Sequence, residues 1–503
     1  MFRGNGDLLL GIDIGTTGTK CSIYDFEGSI IATAYQEYPM IHKFEGWTEQ
    51  NPDVWWRCVC ENLQHCFSGG RTESSRIAAI SVSCTNAVCL VDENGKVLYN
   101  AIGLHDQRAG DQVCWLEDKI GLPKIRALTG NRLAKGSCAL SSMRWIIDHH
   151  PELILPGCKF LSPSGFVIKH LTGEFSINIS RMDLACIGNI FTGKLEPAIL
   201  EQAEIPEVLL PEVFKATDIV GTVSRKAAEQ TGLCPGIPVA AGSVDTVAAT
   251  LGSGAINPGD LAITIGSSGR ICYVSESPNF DNKAVNAHTM NGKYLVIQTT
   301  DNAGVSLRWF RDLFGRAAYS PDELPDKNIY KRIDETAQAA GAGADGIIYL
   351  PYLAGEKSPI WNPDARGVFF NIGLNTSFGS FARAVLEGVA FSIRDCANWV
   401  LDTSDNKAAI PIGGGIANSR IWCQIFADIL GRPILRLKTN ETETLGDIIV
   451  AANAVGIEHI TPDFGKKLSL KGETLYPRLE YRQMYDENFD RYKKLYEAVK
   501  PLF

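Results

Sequence analysis

Two stretches set far apart in the chain share one form. "LLLGIDIGTTGTK", Leu8 to Lys20, and "LAITIGSSGR", Leu261 to Arg270, each run from an apolar segment into Gly-hydroxyl-hydroxyl-Gly, with a basic residue close behind. β-branched residues around a Gly-centred turn predict strand, turn, strand in both places. A chain of 503 residues is too long for one compact core. A matched hairpin near the start of each half then implies two related α/β halves, 1–252 and 253–503. The competing reading is chance, since Gly-Ser/Thr turns between strands are common. Superposing the turns pairs Asp13 with Thr264, so the shape repeats and the carboxylate does not.

These turns suit a phosphate. Gly15 and Gly18 let a ligand approach the backbone, Thr16, Thr17 and Thr19 offer hydroxyls, and Lys20 offers charge. Gly266, Ser267 and Ser268 repeat the arrangement without the lysine. Asp13 could hold Mg²⁺, through water, because that ion prefers oxygen ligands and keeps several waters. Two such hairpins facing each other across a cleft could grip a polyphosphate from both sides. An ordinary β-turn is the other reading of each.

Three further segments carry chemistry. In "VAAGSVDTVAATLG" an apolar strand ends at Gly242 and Asp245 opens an expected helix, where a partial positive charge favours its anion. It could act as a general base, or simply as an N-cap. In "IPIGGGIANSRIWCQIFADILG" a strand enters a triple glycine, and an amphipathic helix leaves it. Gly413, Gly414 and Gly415 would let a flat ring such as adenine lie on the backbone, or would serve tight strand–helix packing. "GLHDQRAGD" offers Asp106 and Arg108, and "VSCTNAV" offers Thr85 and Asn86, side chains that could read sugar hydroxyls or lie in solvated loops. "GAGADG", Gly341 to Gly346, matches a dinucleotide fingerprint in letters. It follows a helical pattern and opens a strand, the reverse of the required order, and is rejected.

Composition narrows the classes. A net charge of -9 argues against a general nucleic-acid binder. No apolar run approaches the roughly 18 residues of a membrane helix, so a cytoplasmic protein without membrane contact is expected. The 14 cysteines show no CxxC pair and read as small buried hydrophobes in a reducing compartment.

Taken in order, these segments resemble the FGGY carbohydrate kinases, a branch of the actin-like ATPase superfamily. "DIGTTGTK" resembles the first phosphate loop, "HDQRA" the Asp-x-Arg substrate segment, and "GSVDTVAATLGSG" the segment of the catalytic aspartate. "TIGSSG" resembles the second phosphate loop, and "LPYLAGEKSPIWNPDARGVFF", "RAVLEGVAF" and "GGGIANSRIWCQIFADILG" follow in family order. The resemblance spans essentially the whole chain. It implies two actin-like, ribonuclease H-like α/β domains around a deep nucleotide cleft. It also implies Mg-ATP-dependent phosphorylation of a sugar or polyol hydroxyl, and allows a homodimer. Asp245 becomes the base and a substrate contact, Asp13 the metal-side carboxylate, and Gly414, Gly415 and Asn418 nucleotide contacts. Thr85, Asn86, Asp106 and Arg108 become substrate contacts.

The sugar-reading segments depart from the family. "CTNAV" stands where xylulokinases usually carry a Gln-Met-His-Gly-like segment and glycerol kinases a Gln-Arg-Glu segment. Ser142 in "SSMRW" replaces an expected lysine. D-xylulose is the leading single expectation, beside another pentulose, a polyol or an aldonic acid such as gluconate. An actin-like protein that closes on nucleotide without phosphorylating a small molecule is the alternative from another class.

Overall fold

The structure is a computed structural model that describes residues 6–503 except 69, 71, 282–283, 319–328, 402–405, 440 and 470. It divides into two units. The first comprises Met1–Ile256, Ser275–Val296 and Glu441–Leu468; the second comprises Asn257–Val274, Ile297–Asn440 and Ser469–Phe503. The linear division expected at 252/253 differs from this by two stretches that return to the first unit.

The first unit is built on a six-stranded sheet. Its order is Ile30–Glu37, Gly18–Asp25, Leu8–Ile14, Ile77–Cys84, Pro238–Ala240, Ile219–Thr222. The first three strands are antiparallel neighbours, the next two pairings are parallel, and the last is antiparallel. Six consecutive strands of a second, seven-stranded sheet run Tyr294–Thr300, Gly269–Ser275, Leu261–Ile265, Ile410–Gly414, Ile434–Arg436, Glu473–Leu475. The pairings around Leu261–Ile265 repeat the pattern: antiparallel to the hairpin partner, parallel to Ile410–Gly414, parallel again, then antiparallel at the edge. The sequence repeat is therefore a repeat of sheet topology. Registers match as well, with Asp13 opposite Lys20 and Thr264 opposite Arg270.

Leu8–Ile14 is covered on both faces, which is why it reads as an almost unbroken apolar run. Its period of two sorts the residues. Leu8, Leu10, Ile12 and Ile14 enter a core with Trp55, Val59 and Leu63 of the helix Pro52–Ser68. Gly11 and Asp13 turn to the other face, against the helix Thr442–Ala454. A Cβ on Gly11 would lie 2.6 Å from Thr444 O. That helix also crosses Asp245–Gly252 at small residues, since a Cβ on Gly446 would lie 2.0 Å from Ala248 O. The close approach brings residues 441–447 to the sheet face that carries Asp13.

The rejected fingerprint behaves as argued: the helix Ile329–Ala340 precedes it, and the strand Ile348–Leu350 follows it. All 14 cysteines are free thiols. Among the described residues no helix is long and apolar enough to cross a membrane.

Candidate functional site

In the first unit the Gly15–Gly18 turn closes through Gly15 N donating to Gly18 O at 2.9 Å. Its shape is held from outside. Tyr38 OH donates to Gly15 O at 2.5 Å, Gln50 Nε2 to Thr16 O at 2.7 Å, and Tyr38 N to Thr17 O at 3.1 Å. Thr17 is exposed. Thr16 Oγ1 meets Thr85 Oγ1 at 2.9 Å, because Thr85 N donates to Ile14 O and so sits at the mouth of the same turn. Lys20 does not project as a lone charge: its Nζ lies 2.9 Å from Glu441 Oε2.

The parallel strands bring the second carboxylate. Cys84 N donates to Ser243 O at 3.2 Å and Cys84 bridges Val244, which sets Asp245 beside the end of Ile77–Cys84. The turn before it requires glycine, since Gly242 has φ +69° and a Cβ there would lie 2.0 Å from Val82 O. Asp245 is the first residue of its helix, and its Oδ1 accepts from Thr246 N and Oγ1. Asp245 and Glu443 are close enough to act on Asp13. Burial, then the charges of Glu443 and Asp245, push the Asp13 carboxyl up to about 8, against the opposing effects of Ser83 and Lys20. Such mutually repelling oxygens suit a divalent cation. Among the described residues no three His, Cys, Asp or Glu side chains form a complete metal cage.

The expected substrate residues divide. Asn86 Oδ1 accepts from Arg181 Nη1 at 2.8 Å, and Arg181 Nη2 donates to Ala87 O at 3.3 Å. Arg181 is 1% exposed, so a buried cation fixes which end of the Asn86 amide remains for a ligand. Asp106 and Arg108 are instead turned on each other. Asp106 Oδ2 accepts from Thr48 N at 2.6 Å and Arg108 Nη2 at 2.7 Å, while Oδ1 accepts from Arg108 N and Nε, both at 2.9 Å. Arg108 Nη1 donates to Glu49 Oε1 at 2.6 Å and Tyr99 OH at 3.0 Å, and the guanidinium lies 3.6 Å from the Trp47 ring centroid. With Asp106 0% exposed and its lone pairs occupied, direct hydroxyl reading by this pair is not what the geometry supports. The network instead holds Glu49 and, through the adjoining Gln50, the back of the phosphate turn.

The second unit presents the other turn. Gly266 N donates to Ser268 O at 2.9 Å, and Gly266 and Ser267 are exposed. The helix Gly304–Ala318 starts on this turn: Gly304 N donates to Gly266 O at 3.0 Å and Val305 N to Ser267 O at 3.1 Å. Arg308 Nη2 donates to Ser267 Oγ at 3.1 Å and supplies a cation at the turn. Gly413 and Gly414 pair with Thr264 and Ile265. Gly414 has φ +84°, and a Cβ on it would lie 2.5 Å from Ile265 O, so packing alone requires this glycine. Gly415 and Asn418 are exposed, and a Cβ on Gly415 would meet Ile265 O at an ordinary contact distance of 3.8 Å.

Several participants escape a reading of the sequence. Ser83 faces Asp13 as its register partner in the parallel strand Ile77–Cys84, Asp447, Glu441 and Glu443 reach the same face through helix docking, and Arg181 and Arg308 lie outside the motifs. Asp447 in "LGDIIVAA" and Arg181 in "ISRMDL" are charges in apolar runs, and that pattern is the one available signal of burial with a purpose.

The N-terminal domain model of the FGGY family of carbohydrate kinases matches residues 8–252, and the C-terminal domain model matches residues 261–455. A xylulose kinase of Bacillus subtilis (strain 168) is 28% identical over 499 residues, covering 98% of this chain and 97% of its own. A gluconokinase of Bacillus licheniformis is 28% identical over 451 residues, covering 89% and 88%. The crystal structure of xylulose kinase from Rhodospirillum rubrum superposes with a TM-score of 0.87 at 27% identity, over 98% of this chain and 99% of that one.

Proposed function

The chain belongs to the FGGY family of carbohydrate kinases, ATP-using phosphotransferases, and from that premise we propose that it phosphorylates a hydroxyl of a pentulose, D-xylulose foremost. The observation that carries the mechanism is the position of Asp245. It is the first residue of a helix and interacts electrostatically with Asp13. The helix N-terminus favours its anion, so it can accept the acceptor hydroxyl's proton as that oxygen attacks the γ-phosphoryl group. Asn86, oriented by Arg181, holds a sugar hydroxyl. The hydroxyls of Thr16, Thr17, Ser267 and Ser268 bind phosphate oxygens, and Gly266 lets those oxygens approach the backbone. Gly415 and Asn418 adjoin the base. Mg²⁺, when bound at Asp13, neutralises charge on the phosphates.

The xylulose kinase of Bacillus subtilis, similar along nearly its whole length, supports D-xylulose. An aldonic acid such as gluconate is the second reading. A gluconokinase is equally identical, and the buried Arg181 cation behind Asn86 favours an acceptor that carries a carboxylate. Steady-state kinetics with ATP and a panel of pentuloses, polyols and aldonic acids test the assignment. D-xylulose is expected to give the highest kcat/KM. A higher value for gluconate would transfer the assignment to the second reading, and no phosphorylation of any panel member would favour a nucleotide-gated binding protein.

A further inference from the structure

The second unit contains a cavity of about 340 Å³ that shares no lining residue with its phosphate turn or with Gly413–Asn418. Its wall carries five cationic residues, Arg394, Lys407, Arg432, Arg478 and Arg482, and one acidic residue, Asp428. Asp428 is committed to Arg478, whose Nη2 lies 2.6 Å from Oδ2, and it also accepts from Arg478 N and Gln424 Nε2. Asp486, behind the wall, is shared between Arg394 Nη2 at 2.6 Å and Arg482 Nε at 2.9 Å. The helices Phe378–Leu401 and Arg420–Leu430 both end at the cavity, and their C-termini account for part of this positive charge. Set against the four arginines alone, two carboxylates and two helix ends still leave positive charge in surplus among the described residues.

Arg432 makes the imbalance specific. It is 5% exposed, and its Nη2 donates to Ala408 O at 3.0 Å. Among the described residues its Nε and Nη1 are buried without a hydrogen-bond partner, as is Nη1 of Arg394, which is 8% exposed. Burial lowers the Arg432 pKa. A buried guanidinium is costly unless an anion accompanies it. Arg482 also opens the helix Arg482–Val499, whose first turn has no acidic residue and whose N-cap, Tyr481, makes no side-chain cap.

We propose that this cavity binds a small phosphate ester, with Arg432 and Arg394 as its anchors. Guanidinium groups match phosphate oxygens in pairs. The volume lies at the lower end of the roughly 300–1,000 Å³ of small-molecule sites, which favours a sugar monophosphate over a nucleotide.

The test is calorimetric titration of the whole protein, saturated with ADP, with ribose 5-phosphate, inorganic phosphate or citrate. One ribose 5-phosphate site per chain is expected, weakened at least tenfold in Arg432→Gln and in Arg394→Gln and unaffected in Ser267→Ala. Sugar kinase activity is expected to persist in both arginine variants. Arg482→Gln, whose side chain and whose partner Asp486 are both half-exposed, is expected to weaken binding as well and keeps the test valid if a buried variant fails to fold. Equal binding of citrate would overturn the phosphate class, and inorganic phosphate binding as tightly as the ester would overturn the sugar monophosphate. Absence of binding, or wild-type affinity in Arg394→Gln and Arg482→Gln, would overturn the site.

Discussion

Asp13 and Asp447 are joined by a single hydroxyl: Ser83 Oγ lies 2.9 Å from Asp13 Oδ1 and 2.8 Å from Asp447 Oδ2. A hydroxyl has one hydrogen, so a linear bond to each oxygen requires that one carboxyl carry a proton. Asp447 is fully buried, and its other contact is Ser81 Oγ at 3.4 Å. Burial, then the charge of Asp13, holds it well above the usual carboxylate range. The complete burial of Asp447 favours it as the member of the pair that keeps its proton as pH rises. With that proton in place it donates to Ser83, which in turn donates to Asp13.

The pH dependence of stability follows from this pair. Both carboxyls are raised in the folded protein, Asp13 to about 8. Above the unfolded value of 3.8 the folded state holds more protons than the unfolded one, so stability falls as pH rises toward 8. Without divalent ions, the thermal midpoint is expected to be lower at pH 8.5 than at pH 6. Asp447→Asn is expected to shrink that difference. An unchanged difference in the variant would show that Asp447 is already ionised at pH 6.

Asp106 and Asn86 should separate architecture from recognition. Asp106→Ala leaves the Arg108 cation buried, and removing one partner of a buried pair typically costs about 3–5 kcal/mol. A large loss of denaturation midpoint is expected. Asn86→Ala is expected to raise KM for the sugar several-fold with little change in KM for ATP, and to lower the midpoint less than Asp106→Ala, since it leaves one buried Arg181 donor unpaired. A stable Asp106→Ala protein with a selective sugar defect would return Asp106 to the pocket.

Metal dependence should follow Asp13. Asp13→Asn removes the charge while keeping the side chain's shape, so the Mg²⁺ concentration for half-maximal turnover is expected to rise at least tenfold. Adding Thr264→Asp to that variant is expected not to restore it, because Thr264 lies opposite Arg270 in the other sheet. Activity titrations against Mg²⁺ measure both. An unchanged requirement in Asp13→Asn would move the ion elsewhere.

The paired hairpins and the Asp245 turn were legible because each is local: glycine, hydroxyl and strand patterns lie within a dozen residues. The repeated register, Asp13 with Lys20 and Thr264 with Arg270, follows from the same spacing. The partners Asp447, Glu441 and Glu443 arrive from more than 400 residues away in sequence through glycine-mediated helix packing, and no spacing rule connects them to Asp13. Asp106 and Arg108 leave two readings open in the sequence for a related reason. A nearby carboxylate and guanidinium can bind a sugar or each other, and that depends on Trp47, Thr48 and Glu49, which other segments bring in.

The account depends most on Asp245 as the proton acceptor. Asp245→Asn keeps the side chain's size at the helix start while removing its basicity. In the folded variant, sugar phosphorylation is expected to fall roughly 10²–10⁴-fold, with the affinity for ADP unchanged by calorimetry. Turnover within a few-fold of the unsubstituted protein, at unchanged thermal midpoint, would contradict the account.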